Sequence, residues 1–292
     1  MIRRKNRVIG GPLLALLIFG VWAGPTLAKD TAGGSLDRGF HDLYDLNFER
    51  AQKEFGEWEQ QYPSNPVGPV SEAAGLLFSE FHRLGVLEAQ FYENDSAFTA
   101  RKKLTADAEV RDRFNNAVTR AESLARSQLV GDPKARDALF AMALSSGLKA
   151  DYAALIEKRN MASLHYTKDA SAWAQQLLAV QPDYYDAHLA TGVSKYIIGT
   201  LAAPVRWILR LGGVAGDKQA GIAELQLTAD RGHYLAPFAR ILLAIAYVRE
   251  KDRPRAVQLL ASLHEEFPDN PLFAQEMRRL TAAPGSQQSS SK

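Results

Sequence analysis

The sequence contains no cysteine among its 292 residues. This absence excludes disulfide bonds, thiolate metal sites, cysteine nucleophiles and lipid attachment through a cysteine. Alternating strand patterns joined by Asn-Gly or Asp-Gly turns are absent as well. The chain is 46% hydrophobic and 23% charged, which is typical of a globular protein and not of a disordered or multi-span membrane protein.

Catalytic and cofactor-binding spacings are also missing. No two of the six histidines stand at the HExxH spacing that places two imidazoles on one helical face. Ser194 lacks the second glycine of a nucleophile elbow and is expected on a helix surface, and residues 212–218 lack the P-loop spacing. We therefore predict no catalytic residue, no cofactor and no bound metal.

Residues 1–28 have the order of a secretory signal peptide. Four basic residues between Arg3 and Arg7 precede an apolar run from Val8 to Gly24, and small residues end the segment at Ala28. This order predicts export to the periplasm or cell envelope of a bacterium, with cleavage after Ala28. The alternative is an uncleaved membrane anchor, although the 17-residue apolar run is short for a spanning helix.

The leader also distorts the net charge. The 35 Lys and Arg residues less the four in the leader leave 31 basic residues against 33 acidic ones, a net charge of −2. A nucleic-acid-binding protein needs a basic surface to hold phosphates. We therefore expect no nucleic-acid partner.

The chain beyond the leader is predicted to be helical. Apolar residues recur at spacings of three and four past Leu43, among strong helix formers. Most prolines fall between these periodic segments, while Pro237 and Pro254 suit the first turn of a helix. Residues 29–37 are expected to be flexible, residues 38–281 to form the helical domain and residues 282–292 to be a disordered tail.

One 34-residue stretch, 237–270, has the signature of a two-helix repeat. Small Ala244 and Ala256 would let two helices approach closely, Tyr247 would fill the space beside the turn, and Pro268 would end the second helix. The spacing of these residues, together with that of three leucines, resembles the tetratricopeptide repeat (TPR), a helix–turn–helix unit. The leucines are Leu243, Leu260 and Leu263. Arg240 stands where that family often has tryptophan.

The second half of this signature occurs twice more, each time with a terminal proline. The copies are Ala51, Phe55, Trp58 and Pro63, and Ala170, Ala174, Leu177 and Pro182. The resemblance implies an all-α, TPR-like α-solenoid of antiparallel helix pairs with an open concave face. Residues 71–131 match less well, and the sequence leaves open whether they stack with the rest or form a separate bundle.

Residues 183–273 resemble a divergent TPR group that includes eukaryotic outer-mitochondrial-membrane and inclusion-clearance proteins and bacterial envelope homologues. The likeness rests on a helix with Tyr184, Gly192 and Tyr196, a glycine-rich insert, and a second helix that Asp217 would cap. Gly221, Leu225 and Thr228 would form the packing face of that second helix. The resemblance implies protein contacts and no known reaction.

Two patches are predicted to bind a partner. In residues 200–211, Arg206 and Arg210 share one side of a short helix while Trp207 lies on the neighbouring side, which suits a protein partner or anionic lipid. The alternative is a connecting helix packed onto the solenoid. On the predicted groove we select Tyr184, His188, Lys195, Arg240 and Arg249, although each could equally be a plain surface residue.

These observations predict a non-enzymatic, exported scaffold that binds a protein or peptide on its concave face. Two alternatives remain open. One is an envelope enzyme acting on cell-wall or polysaccharide chains, which would need a deep pocket holding a buried carboxylate with a shifted pKa. The other is a lipid-associated accessory factor that uses the segment around Trp207.

Overall fold

The computed structural model describes residues 35–87, 103–201 and 216–282, and within these ranges the protein is all-α, with no strand. One π-helical turn, Tyr152–Ile156, follows the fifth helix. The α-helices of the described ranges are α1 Leu36–Tyr44, α2 Phe48–Gln61, α3 Val67–Arg83, α4 Ala108–Gly131, α5 Arg136–Asp151, α6 Asn160–Val180, α7 Ala187–Thr200, α8 Lys218–Arg231, α9 Ala236–Arg249, α10 Arg253–Glu266 and α11 Pro271–Thr281.

Short polar side chains and prolines set the helix ends. Ser35, Asp107, Asp217 and Asp252 each accept a hydrogen bond from a backbone N–H in the first turn of the helix that follows. Pro237 and Pro254 lie in the first turns of α9 and α10, where the missing N–H costs nothing. The predicted cap at Asp217 and the predicted places of both prolines are therefore confirmed.

Each helix packs against the next one along the chain. In addition, α3 contacts α1 and α5, and α5 contacts α7, so α1, α3, α5 and α7 form an inner row. Nearly all faces of α3 and α5 are buried. Because α3 and α4 pack between α2 and α5, the described residues of this stretch, 71–87 and 103–131, belong to the same stack and are not a separate bundle.

Most residues of the repeat signature lie in the core, although Trp58 and Tyr247 are only partly buried. The second helices of three pairs, α2, α6 and α10, bury signature positions against their partners. These positions are Ala51, Phe55, Ala170, Ala174, Leu177, Ala256, Leu260 and Leu263. Leu243 and Ala244 of α9 are buried as well. The repeat pattern thus marks where two helices touch.

Helices α7 and α8 approach each other more closely than side chains would allow. A Cβ atom added to Gly221 would lie 2.6 Å from the backbone nitrogen of Tyr196 and 2.8 Å from the carbonyl oxygen of Gly192. At the helix ends, a Cβ on Gly199 would lie 2.5 Å from the backbone nitrogen of Lys218. Glycine is required at these positions because the two backbones are in direct contact.

The first helix packs against the last pairs. Tyr44 donates a hydrogen bond of 2.9 Å to the carbonyl oxygen of Tyr234, and Asn270 donates one of 2.8 Å to the carbonyl oxygen of Tyr44. The rings of Phe40 and Tyr234 stack with centroids 5.0 Å apart. Farther along the inner row, Phe78 of α3 meets Phe238 of α9 at 5.3 Å. The inner face that we expected to be open is here filled by aromatic side chains of the chain itself.

Three local expectations differ from the structure. Ser35 and Leu36, at the end of the segment expected to be flexible, form the cap and the buried first turn of α1. Tyr184 precedes α7 instead of lying on it, because that helix begins at Ala187. Ser194 is buried and not on the surface, because its side of α7 lies within the contact with neighbouring helices.

Several predictions fall outside the described residues. They are the leader and its cleavage site, residues 29–34 of the expected flexible segment, Arg206, Trp207 and Arg210 of the insert, and most of the tail. Among the described residues, Arg136–Ile156 is long and apolar enough to cross a membrane. In the fold, 61% of its most apolar window is buried, as is usual for the core helix of a globular domain.

Candidate functional site

A cavity lies where the odd-numbered helices begin. Its volume is about 310 Å³, and its wall includes residues from the first turns of α1, α3 and α5 and from the turns that precede α7 and α9. Aromatic rings and charged groups make up most of the wall. These are Trp58, Tyr184, Tyr185 and Tyr234, with Asp137, Asp183, Asp186, Arg231 and His233.

Asp186 holds the turn before α9 in place. Its carboxylate accepts hydrogen bonds from the backbone N–H groups of His233, Tyr234 and Leu235 at 2.8, 3.1 and 3.1 Å. Burial raises the pKa of Asp186, and the three N–H donors oppose that rise. Three of the roughly four acceptor positions of this carboxylate are thus occupied by the backbone, so Asp186 positions the cavity wall.

Two tyrosines form the floor of the cavity. The ring of Phe140 in α5 lies 5.3 Å from the ring of Tyr184 and 6.3 Å from that of Tyr234. Among the described residues, no group hydrogen-bonds to either phenol oxygen. Burial raises the pKa of both phenols well above the ordinary value. Both tyrosines are therefore neutral, with hydroxyl groups available to a ligand.

Negative charge predominates around these phenols. After burial, Asp186 and Asp137 raise the pKa of Tyr184, and Asp37, Asp186 and Asp137 raise that of Tyr234. Arg136 opposes this rise and lowers the pKa of Tyr184. Its guanidinium also donates a hydrogen bond of 3.1 Å to the amide oxygen of Gln181. The cavity thus combines aromatic faces with a negative electrostatic environment.

The cationic groups at the rim are engaged within the chain. Arg231 donates a hydrogen bond of 3.0 Å to the hydroxyl of Tyr185, and its guanidinium lies 5.3 Å from the centre of that ring. His233 stands 2.8 Å from Asp37 and stacks on Tyr234. Asp183, by contrast, is exposed and has no ion pair or side-chain hydrogen bond among the described residues.

The structure brings Tyr184 into the cavity but places the other described candidates elsewhere. His188 and Lys195 on α7 both contact Glu224 of α8, with His188 Nδ1 3.1 Å from the carboxylate. Arg240 on α9 pairs with Glu266 of α10. Arg249 ends α9 and lowers the pKa of Tyr196 on α7, which burial raises. Each of these four side chains thus has an intramolecular neighbour, and its predicted role in partner binding stays a prediction.

Sequence reasoning did not select Trp58, Asp137, Asp183 or Tyr234 as site residues. Three of the four lie in or beside the turns between one pair and the next. A usable signal was present, because prolines 63, 133 and 182 mark three of these turns and every such turn of a stacked pair array falls at the same end. The sequence alone does not show that the stack bends far enough to bring the turn before α9 against Leu36.

Other candidate chemistry lies away from this cavity. Within the described ranges, no group of three or more His, Asp or Glu side chains could hold a metal ion. Burial raises the pKa of Asp151 to about 7, but this residue ends α5, at the opposite end of that helix from Asp137. Asp151 therefore lies apart from the cavity, whereas Asp186, whose pKa burial also raises, lies in its wall.

Comparison with known proteins adds one finding. No protein-family model and no curated protein sequence matches the chain. The chain is similar to a solved structure, the crystal structure of a thermophilic TPR protein in Thermus thermophilus, at 16% identity and a TM-score of 0.43. The alignment covers 83% of this chain and 95% of that chain.

Proposed function

We propose that this protein is an exported, non-enzymatic helical-pair scaffold that binds a protein or peptide partner. The binding site is the cavity lined by Trp58, Tyr184, Tyr234, Asp137 and Asp183, which we call the turn-end cavity. The observation that carries the proposal is the cavity itself. Tyr184 and Tyr234 form its aromatic floor, and no described residue hydrogen-bonds to their phenol oxygens. Aromatic side chains supply much of the binding energy in protein interfaces because they bury large area at little entropic cost.

The choice of surface follows from the closed inner row. The rings of Phe40, Phe78 and Phe140 contact rings of later pairs, so these side chains are engaged within the chain. The cavity is concave, of a volume near the lower end of ligand pockets, about 300–1,000 Å³, and bordered by turns. A segment of a partner could therefore place one long side chain in it.

The envelope-enzyme alternative needs a reactive carboxylate inside the cavity. Asp186 lies in the wall, but three backbone N–H groups occupy it. Asp151, whose pKa burial raises to about 7, lies outside the wall. A glycoside hydrolase also needs two carboxyl groups across the substrate, one of them a general acid, and Asp186, the buried carboxylate of the wall, is held by the backbone. The geometry therefore favours binding over hydrolysis.

The partner site can be tested by photo-crosslinking in cells. A photoreactive phenylalanine analogue is placed at Tyr62, whose side chain is exposed and whose ring centre lies 4.8 Å from that of Trp58. The matched control carries it at Met161, which is 80% exposed at the start of α6, at the other end of the pairs. We expect one discrete crosslinked partner from position 62 and none from position 161. Equal crosslinking from both positions would refute the assignment of the surface.

Export is tested separately. Mass spectrometry of the protein purified from the envelope fraction should find Lys29 as the first residue. Retention of Met1 in the membrane fraction would instead favour an uncleaved anchor. Membrane association that depends on Trp207 would support the accessory-factor alternative.

A further inference from the structure

We infer that the turn-end cavity accepts a positively charged side chain, arginine or lysine, from an extended segment of the partner. This inference rests on the proposed function and names the chemistry that the cavity selects. It stands on three observations, namely the aromatic wall, the surplus of carboxylates, and a guanidinium of the chain itself already stacked beside the cavity.

The aromatic wall suits a cation. A guanidinium or ammonium group over the face of tryptophan or tyrosine gains about 0.5–2 kcal/mol, most when water is excluded. Trp58, Tyr184 and Tyr234 each present a partly buried ring to the cavity. Their rings offer area to the aliphatic stem of a long side chain, and the phenol oxygens of the two tyrosines can accept its N–H groups.

The chain already contains one such contact. Arg231 at the rim stacks its guanidinium 5.3 Å from the ring centre of Tyr185 and donates to the hydroxyl of that residue at 3.0 Å. This arrangement of planar cation, aromatic face and phenol acceptor shows that the wall accommodates a guanidinium. Tyr184 and Tyr234 offer the same groups with no such occupant among the described residues.

Carboxylates at the mouth provide the complementary charge. Asp183 is exposed with no partner among the described residues, and Asp137 accepts a single side-chain hydrogen bond, 2.7 Å long, from Asn65. An entering cation would therefore meet two carboxylates that can pair with it, whereas an entering carboxylate would be repelled. The starts of several helices at this end oppose this preference, because helix N-termini favour anions, so an acidic ligand is the decisive comparison.

The test uses pentapeptides with blocked ends, Gly-Gly-X-Gly-Gly, titrated into the chain from Lys29 onward. X is arginine, lysine, glutamate or citrulline, which has the shape of arginine without its charge. Binding is followed by the indole N–H signal of Trp58 in NMR spectra, assigned with Trp58→Phe. We expect the arginine and lysine peptides to bind about ten-fold more tightly than the citrulline peptide, the sum of modest cation–π and ion-pair gains.

Neutralising the mouth separates charge from shape. The double variant Asp137→Asn, Asp183→Asn should lose this ten-fold selectivity and keep its weak affinity for the citrulline peptide. The matched control Asp112→Asn, which removes a carboxylate on the exposed surface of α4, should keep the selectivity. Thermal denaturation confirms that all three chains fold.

Three outcomes would overturn the inference. The first is equal binding of the arginine and citrulline peptides, and the second is preferential binding of the glutamate peptide. The third is tighter binding of the arginine peptide by the variant Lys29→Gln, which would assign the cavity to the N-terminal segment of this chain. Partner crosslinking from Tyr62 that persists in the double variant would leave the scaffold function intact and remove only the cationic selectivity. Absence of crosslinking from position 62 in the chain that keeps Asp137 and Asp183 would instead remove the proposed function.

Discussion

Helices α1 and α2 and helices α7 and α8 both depend on glycine, but in different ways. At Gly39 of α1, the missing Cβ makes room for the ring of Phe55, whose nearest atom would lie 2.3 Å from that Cβ. At Gly221 of α8, the missing Cβ makes room for the backbone of α7. One pair is thus joined by a side chain fitted into a gap and the other by two main chains in contact. The first kind of contact can be repaired by changing a side chain, and the second cannot.

The largest effect is expected from Gly221→Ala. The added methyl group would overlap the backbone of Tyr196 and Gly192, so the two helices must separate along their whole contact. Overpacking costs about 1–3 kcal/mol and sometimes more, and we expect about 3 kcal/mol here because no flexible side chain can yield. Urea denaturation of the variant and the wild-type chain measures this difference. A loss below 1 kcal/mol would contradict the proposed main-chain contact.

A smaller loss, about 2 kcal/mol, is expected from Gly39→Ala, because the methyl group meets the fully buried ring of Phe55. Adding Phe55→Leu should restore part of this stability, since the smaller side chain vacates the space. The coupling is measured by a double-mutant cycle in urea. If Phe55→Leu and Gly39→Ala destabilise the chain additively, the ring is not what limits the space at Gly39.

The α7 and α8 pair should also respond to pH through Glu224. Burial raises the pKa of Glu224, but hydrogen bonds from Lys195, Thr191 and His188 outweigh it, so the net pKa lies below the usual value. The stabilisation is therefore complete above the unfolded pKa of about 4.5 and is lost as the pH falls through the lower folded value.

For this reason Glu224→Gln should cost about 1.5 kcal/mol at pH 7, the usual value of charge-assisted hydrogen bonds, and much less near pH 3. Parallel denaturation of both chains at these two pH values measures the change. The α1 and α2 pair supplies the contrast, because the loss caused by Phe55→Leu should be the same at both. A Glu224→Gln penalty that is independent of pH would show that shape and not charge matters at this position.

The smallest effect is a gain. Gly56 in the middle of α2 has nothing within 4 Å of where a Cβ would be placed. Gly56→Ala should therefore stabilise the chain by about 0.5–1 kcal/mol, through helix propensity alone. Thermal denaturation measures the gain, and a destabilised variant would mean that this face of α2 has a neighbour not seen in the structure.

Much of the fold could be read from local sequence. The signature of residues 237–270 predicted helices that the structure places at Ala236–Arg249 and Arg253–Glu266. Contacts between neighbours in sequence leave periodic traces, as Ala244 and Ala256 illustrate. The contact of Gly192 with Gly221 was also predicted in part, since Gly221 was expected on the packing face of its helix.

The site was predicted less well. Tyr184 was selected, although as a helical groove residue, whereas it lies in a turn and lines the cavity. Trp58 and Asp137 belong to other helix pairs than Tyr184, and the packing that brings the three to one cavity is not encoded by any single motif. The ion pairs of Lys195 and Arg240 were missed. The sequence of one helix does not show whether a neighbouring helix places a carboxylate beside its lysine or arginine.

The meeting of Tyr44 with Tyr234 and Asn270 affects how the protein acquires its shape. These contacts join residues 190 and 226 positions apart, so helix α1 obtains its last neighbours only after the final hairpin has been synthesised. Arrays in which each repeat touches only its neighbours can fray one unit at a time. Contacts between the first and the last helices prevent such stepwise fraying. The eleven described helices should therefore unfold in one cooperative transition and not unit by unit from either terminus.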